Sequence, residues 1–72
     1  MSERDKLFFQ KLGRQIRQQR ELLHLTRESL AEQMGIDPVH VWKLEKGKVN
    51  MKLTTFLRLS GTLSISIPSI TL

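Results

Sequence analysis

Apolar positions recur at helical spacing through most of the chain and change to strict alternation only near its end. Leu12, Ile16 and Leu23 form a stripe that predicts a helix from about residue 5 to 23, with Leu7, Phe8 and Phe9 adding bulk at its start. Leu30, Ala31 and Met34 share one face of a second helix. Thr26 stands ready to cap its first N–H groups, and Gly35 ends it by turning to positive φ. Asp37 and Pro38 open a third helix as an N-cap acid followed by a first-turn proline, and Val41 and Leu44 are its inward pair. Ala31 lies where these two short helices cross, and its small side chain lets their axes approach. Two helices joined at a tight glycine turn, here Thr26 to Gly47, are the arrangement that sets a second helix into the major groove of DNA.

Leu53, Phe56, Leu57, Ser60 and Leu63 define a fourth amphipathic helix over residues 52 to 62, capped near Asn50 and weakened in its last turn by Gly61. The period then falls to two. Leu63, Ser64, Ile65, Ser66 and Ile67 alternate apolar and hydroxyl residues, and after Pro68 the phase slips so that Ile70 and Leu72 become the apolar positions. A single strand exposes unpaired backbone groups, and nothing else in the chain reads as its partner. The simplest solution is the same strand from a second copy across a two-fold axis. Burial of Ile65, Ile67 and Ile70 from each copy is worth roughly 1.5–3 kcal/mol per side chain. A frayed, partly disordered tail is the alternative.

Arg20 interrupts the apolar stripe of the first helix, four residues after Ile16 and three before Leu23. Its guanidinium therefore either points inward toward a carboxylate, with Glu45 the best placed, or snorkels to water along its methylenes.

Charge sharpens the picture. A chain of 72 residues is one small domain, near the size at which a single core barely suffices, so a second copy would help it. The formal net charge of +5 suits a polyanionic partner, and its distribution says more than its size. Lys43, Lys46, Lys48, Lys52 and Arg58 cluster after the start of the third helix, opposed only by Glu45, whereas no charged side chain occurs from Leu59 to Leu72.

The absence of cysteine excludes a disulfide framework and thiolate metal sites and is compatible with a reducing compartment. Polar residues follow Met1, and no apolar run approaches the ~20 residues of a membrane span, so a soluble, cytoplasmic protein is expected. Catalysis has little basis. His24 and His40 lack metal-ligand spacing and further ligands, the tail serines lack a neighbouring base, and no glycine-rich phosphate loop follows a strand. Glu21, Glu28 and Glu32 read as solvated helix faces. We expect no enzyme activity, no cofactor and no metal.

With these residues in place the chain resembles the Cro/CI-type (XRE) helix-turn-helix regulators. The run Arg20, Leu25, Thr26, Leu30-Ala31, Gly35-Ile36, Asp37, Val41 and Glu45-Lys46-Gly47 follows the family pattern over about residues 7 to 65. The resemblance implies a mainly α, four-helix lambda-repressor-like domain over 7–62, preceded by an N-terminal segment 1–6. It favours a buried Arg20–Glu45 ion pair and places His24 at the end of the first helix, where the family often has glycine. The tail, LTTFLRLSGTLSIS in particular, resembles HipB-type antitoxins, whose C-terminal strand pairs across a homodimer, which repress their own operon and which bind a HipA-type kinase toxin. That implies a dimerisation strand over 63–72, carried by Leu63, Ile65, Ile67, Ile70 and Leu72.

If the motif docks as the family does, Pro38, Val39, Trp42 and Lys43 face base edges, with His40 on the flank. Lys43 can donate to guanine and Val39 can touch a thymine methyl. The chain departs from the family here, because Pro38, Val39 and Trp42 replace the usual polar readers. Trp42 can serve DNA, pack with Val39 against a protein partner, or tuck onto the core. Backbone contacts are expected from Thr26, Arg27, Lys46, Lys48 and Lys52. The expected partners are operator DNA, a second copy and a HipA-like kinase toxin. The other readings are a stand-alone phage-like repressor and a protein-binding antitoxin with weak DNA binding.

Overall fold

A computed structural model describes residues 2–64 as four helices, α1 (Glu3–Leu22), α2 (Arg27–Met34), α3 (Pro38–Glu45) and α4 (Leu53–Leu63). Ser2 caps α1 by accepting a hydrogen bond from the Asp5 N–H at 3.1 Å, and Glu3 and Asp5 put negative charge in its first turn. The helix thus begins earlier than its apolar stripe and takes in residues 3–6 of the expected N-terminal segment 1–6. The two caps foreseen in the motif form: Thr26 accepts from the Ser29 N–H at 3.0 Å and Asp37 from the Val39 N–H at 2.8 Å.

The first three helices end the same way. Just past each, one residue turns left-handed, at His24 (φ 58°), Gly35 (φ 69°) and Gly47 (φ 67°). The N–H after it then reaches back to the helix, from Leu25 to the Arg20 carbonyl at 3.1 Å, Ile36 to Ala31 at 3.0 Å and Lys48 to Lys43 at 3.0 Å. Glycine adopts this turn freely at two of the three ends, while His24 carries a Cβ through it.

The core gathers Leu12 and Ile16 from α1, Leu30, Ala31 and Met34 from α2, Val41 and Leu44 from α3, and Phe56, Leu59 and Leu63 from α4. Phe9, Leu25, Ile36, Val49 and Met51 pack around it. Gly13 sits mid-helix because α1 crosses the end of α3 there: a Cβ at that point would lie 2.6 Å from the Leu44 carbonyl oxygen. Gly47 is pressed on by the same helix, with Gln10 Cα 2.6 Å from where its Cβ would be.

Several apolar expectations are corrected. Leu7 and Leu23 are exposed, the latter because α1 has already ended at Leu22. On α4 the inward row is Phe56, Leu59 and Leu63, so the helix is rotated from the face expected, and Leu53 and Leu57 form an exposed row. Its N-cap is Lys52 rather than Asn50, with no side-chain cap bond. Leu63 does not start a strand. It is the last helical residue, fully buried, and Ser64 closes the helix at φ 56°. The rest of the expected strand, including Ile65, Ile67, Ile70 and Leu72, lies outside the described residues. Among the described residues no helix is long and apolar enough to cross a membrane.

Candidate nucleic-acid interface

Helix α3 lies against both α1 and α2, buries Val41, Leu44 and Glu45, and turns its other side outward. The outward side carries all four residues expected to face bases and His40, expected on their flank. Pro38, His40 and Lys43 are exposed, Val39 is 59% exposed and Trp42 37%. Trp42 is therefore a surface residue and not part of the core. The Lys48 ammonium stands over its ring, 5.9 Å from the centroid, so the indole is steadied from the loop after α3 by a cation–π contact. Val39, His40 and Lys43 border a shallow depression with Asp37 and Val49. The surface offered to a groove is thus one cation, one imidazole and a band of apolar area.

The structure scatters the expected phosphate contacts around this helix. Thr26 is exposed at the start of α2; its oxygen is committed to the Ser29 N–H, which leaves its O–H to donate. Lys46, Lys48 and Lys52 are all exposed, following α3 and leading into α4.

Arg27 differs from expectation. It is not a free cation, because its Nε donates to Glu45 Oε1 at 3.1 Å. Glu45 is also held by Arg20, from Nε to Oε2 at 2.6 Å and from the second guanidinium nitrogen to Oε1 at 3.3 Å, while Arg20 donates its remaining nitrogen to the Leu25 carbonyl at 2.8 Å. The inward orientation of Arg20 is what the structure shows, and the ion pair is in fact a triad. The Glu45 side chain is 1% exposed, that of Arg20 9% and that of Arg27 34%. Two arginines and one glutamate leave a net single positive charge, and no described buried polar side-chain atom lacks a partner. The triad ties the end of α1, the start of α2 and the end of α3 together, which fixes the angle at which α3 is presented.

The family model described as helix-turn-helix matches residues 16–70, most of the chain and every residue of the α2–α3 motif. The chain belongs to the Cro/CI-type (XRE) helix-turn-helix family. As a family member it is a DNA-binding regulator of transcription. No curated protein and no solved structure matches it. Among the described residues no group of histidines, cysteines and carboxylates could hold a metal ion. Gly13 and the third arm of the triad escaped the sequence reading, although a glycine placed mid-helix is itself a sign of close approach.

Proposed function

We propose that this regulator is a dimeric autorepressor that reads a palindromic operator and serves as the antitoxin of a HipA-type kinase toxin. The observation that carries the DNA-reading part is the outward face of α3, which exposes Val39, Trp42 and Lys43 together beside Lys46 and Lys48. Lys43 donates to guanine acceptors, Val39 and Trp42 meet thymine methyls and sugars, and the flanking lysines neutralise phosphates. Few direct base bonds are available, so shape and backbone deformability carry much of the specificity. Two copies place two α3 helices one helical turn of DNA apart, or a multiple of that.

The antitoxin role is supported by the resemblance of residues 50 to 72 to HipB-type tails and by the exposed Leu53–Leu57 row within them. A gel shift with the upstream region, run beside a pull-down of the product of the neighbouring reading frame, tests both parts. Retarded DNA together with capture of a kinase-like neighbour is the expected result. Retarded DNA with no captured neighbour would leave a plain phage-like repressor, and capture without a shift would leave a protein-binding antitoxin.

A further inference from the structure

The sequence places phosphate contacts only on the motif and after it, yet a cationic hollow on the described surface draws half of its lining from α1. It has a volume of about 280 Å³ and is lined by Gln10, Arg14 and Arg17 of α1, Arg27 at the start of α2, and Glu45 and Lys46 at the end of α3. Glu45 is the only acid in the lining. Its carboxylate is turned inward and saturated by Arg20 and Arg27, so the hollow presents cations to solvent and almost no negative surface. Arg14 and Arg17 lie three residues apart on one helix face, where side chains are neighbours. Arg17 has a weak competitor: its Nε reaches Glu21 Oε2 at 3.4 Å, with both side chains at least half exposed, and such a pair exchanges readily for a better anion.

The geometry points to an extension of the phosphodiester interface onto α1, in which Arg14 and Arg17, beside Arg27 and Lys46, hold the duplex backbone flanking the segment that α3 enters. This rests on the DNA-binding reading and extends it. The hollow touches both ends of the motif, the first residue of α2 and the residue after α3, so a backbone lying across the start of α2 reaches it without leaving the interface. Arginine suits this task because its planar fork donates two parallel hydrogen bonds to phosphate oxygens. The extra contacts add affinity that is indifferent to sequence and fix the register of α3 in its groove. A chain with so few polar base readers has most to gain from such anchoring.

The test compares the full chain with the Arg14→Gln/Arg17→Gln double variant, on the operator and on an unrelated duplex, from low to moderate salt. Both positions are exposed, so the variant should melt with the parent. We expect it to bind both duplexes more weakly by a similar factor, with the slope of log affinity against log salt shallower by about 1 to 2. Neutral methylphosphonates flanking the half-site should weaken the parent more than the variant, which keeps Arg27 and Lys46. If the parent binds with a steep salt slope and the variant matches it, the α1 site is refuted while the DNA reading stands. If the parent binds neither duplex, both fall together.

Discussion

Glu45 has three guanidinium bonds converging on a carboxylate almost fully removed from water. Glu45→Ala would leave Arg20 buried without its counter-charge, and we expect a loss of about 3–5 kcal/mol. A melting temperature within a degree or two of the parent would contradict this. Arg27→Ala removes only the partly exposed arm of the triad, so its cost in stability should be far smaller. His24 makes the opposite prediction. It holds φ 58° with a Cβ, and His24→Gly should stabilise by about 0.5–1 kcal/mol, raising the thermal midpoint by a few degrees. At this scale the sequence was informative wherever a residue type conflicted with its surroundings. Arg20 stood in an apolar stripe, which left it to pair inward or snorkel to water, and the family resemblance decided for Glu45. Arg27 gave no such signal, because it is an ordinary polar residue in a first helical turn and its bond to Glu45 depends on where the three helix ends meet.

The caps of the motif were legible residue by residue, since Thr26, Gly35, Asp37 and Pro38 each satisfy a local backbone requirement that needs no tertiary structure, whereas Ser2 of α1 and Lys52 of α4 were not. The rotation of α4 was not. Leucines at 53, 57, 59 and 63 permit two helical faces, and only the position of the core formed by the other helices selects Phe56, Leu59 and Leu63. The same local ambiguity made Leu63 read as the first residue of a strand, when its burial against the core keeps it helical. The contact of α1 with α3 gives a prediction of its own. Gly13→Ala would drive a methyl group into the backbone at Leu44 and Glu45, and should cost about 1–3 kcal/mol despite alanine's better helix propensity; chemical denaturation reads it directly. On α3, Trp42→Ala should change stability by no more than about 1 kcal/mol, since the residue lies on the outward face beside Lys48, while weakening operator binding.

At the scale of the molecule, a small α domain with a net charge of +5 presents one helix edged by lysines, and the core that holds it is modest. Removing residues 64 to 72 should leave the four-helix core folded and, under the strand-exchange proposal, convert a dimer to a monomer in sedimentation; a truncated chain that stays fully dimeric would place the interface elsewhere. Fold and motif could be read from the sequence because caps, glycines and period agree with one another. The α1 arginines could not, because a surface charge gains meaning only from its neighbours across elements. The most direct test of the account is operator affinity across salt concentrations, measured by fluorescence anisotropy for the parent and for Lys43→Ala. We predict a steep linear fall of log affinity with log salt, and for the variant a loss of about 1–3 kcal/mol on the operator with little loss on unrelated DNA. A flat salt dependence, or a variant that binds the operator as the parent does, would contradict the assignment of α3 as the helix that reads DNA.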